Sequence, residues 1–283
     1  MASPATIPHW IWFFVAIQVL LPPAAQATTT PLEAHLGYIG PAGHNVYLGV
    51  TQGLAEANLQ GQFLGQRYVL HEQSTPGTPG NTPLSAIFAA VDADTLKQLS
   101  ARHPDIPIFN LTLDDEALRE QCLPNVFHIP PSQRMKEDAI AQWRKRNPES
   151  TATVQAWHPD FKKYAAEQLN RRFLKAQGRP MDEDAWAGWA AVKILTDTIA
   201  RLQVTEPAGL LDHLKTQLQF DGQKGVDMNF RPTGQLRQVL FLVENGRVVG
   251  EAPVKGVVDP QDLDSLGPAA CPSKTQINQE NPK

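Results

Sequence analysis

Up to Ser132 the chain alternates short apolar runs with amphipathic stretches, and beyond it helical periodicity takes over. Residues 34–40, 67–71, 86–91, 106–111 and 126–129 read as strands, the first ending in Gly40. Residues 46–59, 95–101 and 115–120 read as the helices between them, residues 41–45 as a turn, and the Ser/Thr/Pro/Gly-rich residues 74–83 as a surface loop. Strict alternation of this kind predicts an α/β fold, a parallel sheet with helices on both faces.

After Ser132 the pattern predicts helices over 133–145, 159–177, 182–202 and 208–218. Asn147-Pro148 stops the first, Gly178-Arg179-Pro180 separates the second from the third, and Glu206-Pro207 opens the last. Residues 226–230 and 238–243 read as strands, with Asn245-Gly246 as a hairpin turn into 248–251. Trp186 and Trp189 lie three apart in an Ala-rich helical stretch with Val192, Lys193 and Thr196, a spacing that favours core packing over ligand stacking.

The amino terminus changes the picture. Trp10 to Leu21 is nearly all apolar, followed by Pro22-Pro23 and by Ala25-Gln26-Ala27, a small-x-small site for cleavage before Thr28. The run is shorter than the roughly 20 apolar residues of a membrane span. Residues 1–27 are therefore expected to be a signal peptide, although no Lys or Arg precedes the apolar run, and residues 28–265 a single exported lobe. With a formal net charge of -4 and basic residues dispersed among acids, nucleic acid is set aside as a partner. Cys122 and Cys271 are the two cysteines of the chain, and an oxidising compartment makes a disulfide the default over two buried thiols. Closing so long a loop would stabilise by about 4 to 5 kcal/mol and tether the tail, residues 266–283, which is polar after Cys271.

Several strings occur in an order that resembles the type I periplasmic solute-binding proteins of the Leu/Ile/Val-binding class. The resemblance is closest to the ABC-transporter substrate-binding proteins associated with pyrroloquinoline-quinone (PQQ)-dependent alcohol dehydrogenase systems. They are Phe109-Asn110 with Asp114-Asp115-Glu116-Ala117-Leu118-Arg119, then Cys122, Asn125, Phe127-His128 and Pro131-Ser132. Farther on come Asn170-Arg171-Arg172-Phe173, Gly178-Arg179-Pro180-Met181, residues 186–192, Phe220-Asp221-Gly222 with Gly225, Phe230-Arg231-Pro232 and Gly234-Gln235-Leu236-Arg237-Gln238. The resemblance implies a flavodoxin-like doubly wound sheet of order 2-1-3-4-5, followed here by a carboxyl-terminal β-hairpin, with a site at the carboxyl ends of strands one, three and four. It also implies that most of a second lobe is missing, because Ser132 to Arg146 leads almost directly to Trp157-His158-Pro159. The implied function is a periplasmic, non-enzymatic binding component that takes a small molecule or ion and works with an ABC permease or a periplasmic PQQ dehydrogenase.

The loops facing such a site carry His44, Asn45, Asp92, Asp94, Thr95, Asn110, Thr112, Asp114 and Asp115. The resemblance nominates Asp92, Thr95, Asn110 and Thr112 as ligand groups, with His44 and Asn45 alongside. Asp92, Asp94, Asp114 and Asp115 are candidates for a hard cation, calcium or a lanthanide. The competing reading is helix capping by Asp94 and Asp114. A half-cleft should bind weakly unless a second copy or another protein supplies its other wall, which leaves self-association and a partner-docking adaptor as alternatives. No Gly-x-Ser-x-Gly elbow, Cys-x-x-Cys, phosphate loop or paired-His metal motif is present, so no catalysis is expected and no cofactor beyond such a cation. His71 and His128, at strand ends, read as structural.

Overall fold

The computed structural model describes residues 31–73 and 82–271. The predicted signal peptide, most of the 74–83 loop and the tail beyond Cys271 lie outside the described residues.

Five parallel strands, β1 (Leu32–Ile39), β2 (Gln66–Gln73), β3 (Ala86–Ala89), β4 (Ile108–Asn110) and β5 (Val126–His128), pair in the order β2-β1-β3-β4-β5. The crossovers are α1 (Asn45–Leu64), α2 (Ala93–Arg102) and α3 (Glu116–Glu120). Period-two alternation sorts the strand side chains: Ala34, Leu36 and Tyr38 face the larger core with Val46 and Val50 of α1, whereas Ile39, Ile87 and Ile108 face Leu96, Leu99 and Leu118 of α2 and α3. This is the parallel sheet with helices on both faces that the pattern predicts, in the doubly wound order that the resemblance implies.

On the α1 face lies α6 (Glu183–Leu202), and the two helices meet through glycine. A methyl group on Gly49 would fall 1.9 Å from the Ala185 carbonyl oxygen, and one on Gly188 would fall 2.2 Å from that of Val46. Backbone thus touches backbone, and Trp186 and Trp189 are driven into the core as the spacing indicates. Trp189 Nε1 donates to Glu56, which also takes Arg172 and Gln52. Desolvation pushes the Glu56 carboxyl up, but those hydrogen bonds win and hold it below the usual carboxylate range.

After β5 the chain builds an annex. Helix α4 (Gln133–Arg144) packs on a three-stranded antiparallel sheet, β6-β7-β8, made of Thr153–Gln155, Leu240–Glu244 and Arg247–Ala252. Alternation again decides the contacts: Leu240 and Leu242 face Met135 and Ala139 of α4, while Phe241 and Val243 join the main core beside Trp157 and Phe161. The hairpin turns at Asn245 and Gly246, both at positive φ (51° and 72°), as Asn-Gly turns require. Helices α5 (Ala166–Gln177) and α7 (Pro207–Thr216) complete the layer around α6. The Cys122–Cys271 disulfide is formed across a separation of 149 residues.

Two expectations are corrected, and one strand is added. Residues 159–165 are not helical, because Tyr164 and Ala165 adopt left-handed backbone (φ 52° and 67°) and the helix starts only at Ala166. Residues 226–230 make only isolated bridges, Phe220 with Met228 and Phe230 with Leu236, between turns at Gly222, Gly225 and Gly234 that all have positive φ. Strand β6 was not anticipated and exists through its pairing with β7.

Gly188→Ala should lower stability by about 3 kcal/mol, toward the upper end of overpacking costs, because the obstacle is a backbone carbonyl that cannot change rotamer. Chemical denaturation checks this; a loss below about 0.5 kcal/mol, the level of an ordinary surface change, would contradict the close approach.

Candidate functional site at the strand ends

The carboxyl ends of β1, β3 and β4 open into the loops that the sequence nominates, and most of their polar groups are already bonded to the chain. Asp92 is the N-cap of α2: it accepts from the Thr95 amide at 2.9 Å and from the Thr95 hydroxyl at 2.8 Å. These bonds hold its carboxyl below the usual range. Thr95 is therefore engaged by Asp92, and the cap of α2 falls to Asp92, not to Asp94.

Asn110 is buried at the end of β4, where its side-chain oxygen accepts from the Thr112 and Leu113 amides at 3.2 and 3.0 Å. That orientation leaves its NH₂ group to donate to the Leu113 carbonyl at 2.8 Å and to His128 Nδ1 at 2.9 Å. His128 must then carry its proton on Nε2, which is buried without a partner. Burial, together with nearby Arg119, pushes the His128 pKa well down. Asn110 is thus a turn-builder, with no group left over for a ligand.

At the start of α1, Asn45 donates to Asp182, the N-cap of α6, and accepts from Arg179 at 3.0 Å. His44 is exposed and caps α1 without a side-chain bond. Thr112 is exposed. The four aspartates are not brought together: Asp92 is spent on Thr95, Asp94 pairs with Lys97 at 3.2 Å, Asp114 pairs with Lys136 at 3.1 Å, and Asp115 stands exposed at the start of α3 with no capping bond. Among the described residues no three His, Cys, Asp or Glu side chains gather as a metal set. The capping role read for Asp114 is likewise corrected, since Asp115 occupies the cap and Asp114 turns to Lys136.

Where the annex meets the ends of β4 and β5, a depression of about 160 Å³ remains, bounded by Thr112, Asp114, Lys136, Glu183 and Asp184. Glu183 accepts from the Ala156 amide at 2.9 Å and so holds the annex to the start of α6. Asp184 stays accessible, yet burial of its carboxyl and repulsion from Asp182 and Glu183 push its pKa up.

The loops owe their shape to Arg119, for which the sequence offered no role. Its guanidinium, almost wholly buried, donates to the Gln235 side chain and to the carbonyls of Asp115, Leu113 and Pro130, all at 2.9–3.0 Å. Desolvation lowers its pKa to about 10, still charged at neutral pH. Gln235 also donates to the carbonyls of His128, Pro130 and Leu236. Both residues stand in the strings that carried the resemblance, which was the available signal.

Asn110→Ala should cost about 2 to 4 kcal/mol of stability, since two amides, a carbonyl and His128 lose their partner together; a variant as stable as the parent would refute the structural assignment. The buried His128 makes a second expectation. Its folded pKa lies below the unfolded value, so its stabilising contribution is complete above roughly pH 6.5 and fades as pH falls beneath that, by up to about 1.4 kcal/mol per unit. Denaturation midpoints measured from neutral to acid pH should show this fall, and His128→Gln should flatten it. An unchanged slope would contradict it.

No protein-family model matches the sequence, and no curated protein matches it significantly. Solved structures do match. An ABC-transporter substrate-binding protein from Desulfitobacterium hafniense superposes with a TM-score of 0.65 at 12% identity, covering 76% of this chain and 99% of its own. A branched-chain amino acid ABC transporter periplasmic ligand-binding protein from Burkholderia xenovorans gives 0.68 at 10% identity, with coverages of 83% and 97%. The branched-chain amino acid transporter substrate-binding protein LivJ of Streptococcus pneumoniae, solved with isoleucine, gives 0.62 at 8% identity, with coverages of 77% and 98%. At these identities the likeness is one of fold, and the fold is that of the periplasmic binding proteins of ABC transporters.

Proposed function

We propose that the protein is a non-enzymatic periplasmic component of the solute-binding type, and that its strand-end face docks a protein partner instead of enclosing a solute. The observation that carries this is that Asp92, Thr95, Asn45 and Asn110 are spent on the protein's own loops. The adjoining depression of about 160 Å³ is also well below the roughly 300 Å³ where ligand pockets begin. The annex is then a reduced second lobe, packed onto the first through Phe241 and Val243 and left without a hinge to close. The disulfide and the signal-like amino terminus support export to an oxidising compartment.

In this reading the partner is an ABC permease or a periplasmic PQQ-dependent alcohol dehydrogenase. The support for the second is the series of strings from Phe109 to Gln238. His44, Asp115 and Asp184 provide the exposed charge and hydrogen-bonding capacity of the face.

The test is co-purification of the tagged full chain from periplasm and membranes. Wild-type protein should retain a permease or dehydrogenase, and the double variant Asp115→Lys/Asp184→Lys, changed only at exposed positions, should retain roughly tenfold less. Recovery of the wild type alone, together with a leucine- or calcium-dependent rise in melting temperature that Thr112→Ala abolishes, would instead establish a working solute site at this face.

A further inference from the structure

On another side of the annex lies a cavity of about 400 Å³, within the size range of small-molecule sites. Its walls come from α4, the residues just before α5, β8 and the strap that follows it. Two aromatic rings lie flat on glycines there. A methyl group on Gly250 would fall 2.4 Å from the Trp143 ring, and one on Gly225 would fall 2.6 Å from the Tyr164 ring. Both rings line the cavity, and Tyr164 is 52% exposed although it is a large aromatic side chain.

The charge of the lining is one-sided. Arg146, Lys163 and Lys255 bring cationic heads to it, against one carboxylate, Glu251, which is paired with Lys163 at 2.7 Å. Arg146 donates from Nη1 to the Lys255 carbonyl at 2.5 Å, which fixes one arm of its fork and leaves the other nitrogens for an anion. Lys224 also lines the cavity but is fully buried, with Nζ held by the Gln238 side chain at 2.8 Å, the Val239 carbonyl at 2.9 Å and the face of Trp186 at 3.9 Å, and desolvation pushes its pKa well down. Tyr164 is held in left-handed backbone, a strain that a bulky side chain tolerates only where the surroundings impose it.

We propose that this cavity is a binding site for a small aromatic carboxylate, with the ring against Tyr164 and Trp143 and the carboxylate toward Arg146 and Lys255. The inference stands on the cavity alone and does not depend on what docks at the strand ends.

Calorimetric titration of the intact, oxidised protein with 2-naphthoate tests it, with acetate and benzyl alcohol as probes carrying only the charge or only the ring. 2-Naphthoate should bind and the two halves should not. Tyr164→Gly removes the ring while relieving the left-handed strain, and Arg146→Glu reverses the charge at an exposed position. Each should weaken binding by at least roughly tenfold with the melting temperature of the unliganded protein preserved. Asp184→Lys, at the strand-end face, should leave it unchanged. Absence of binding by the wild type at millimolar ligand, wild-type affinity in either cavity variant, or loss of binding in Asp184→Lys would each overturn the assignment.

Discussion

The arrangement of this protein depends on the direct backbone contact between α1 and α6. Gly49 against Ala185 and Gly188 against Val46 bring the two helices closer than side chains would allow, and Gly53 extends the seam toward Trp189 and Val192. That closeness puts Trp186 and Trp189 inside the core and sets the starts of both helices side by side, where Asn45 reaches Asp182. Residues far apart in the chain thereby share one edge of the sheet. The same placement brings Glu183 to the Ala156 amide, so the seam also fixes where the annex is held.

In the reading proposed above, the annex accounts for a strand-end face that docks a partner and does not enclose a solute. A two-lobed binding protein needs a gap that opens and closes about a hinge. Here Phe241 and Val243 enter the main core with Trp157 and Phe161, the Trp157 and Trp186 rings stack at 5.8 Å, and Arg119 and Gln235 clamp the loops after β4 and β5. Asp92 and Asn110 at these strand ends serve a cap and a turn. The more spacious, cationic and aromatic-lined cavity lies on another side of the annex, where Trp143 and Tyr164 rest on glycines.

Much of this was legible in the sequence and some was not, for physical reasons. The alternating apolar runs specified β1 to β5, because a strand buried on both faces has few alternatives, and Asn245-Gly246 specified its hairpin through its positive φ values. Thr153–Gln155 carries no apolar alternation long enough to read; its partner β7 makes it a strand. Residues 226–230 have the alternation but lie among glycine turns that only the folded backbone reveals. At the candidate site the residue types were informative and their use was not. Asp92 and Asn110 have the oxygens a ligand would want, and the orphan amides of the adjoining helix and turn take those oxygens first. Tyr164 escaped notice because its role follows from a backbone conformation.

The central claim, a single lobe without hinge closure, is tested most directly by small-angle X-ray scattering of the oxidised protein from Thr28 onward, alone and with saturating leucine, calcium or 2-naphthoate. A folded body of this length should have a radius of gyration near about 18 Å, unchanged by any of the three. A ligand-dependent contraction of more than about 1 Å, as two lobes closing would produce, would contradict the account.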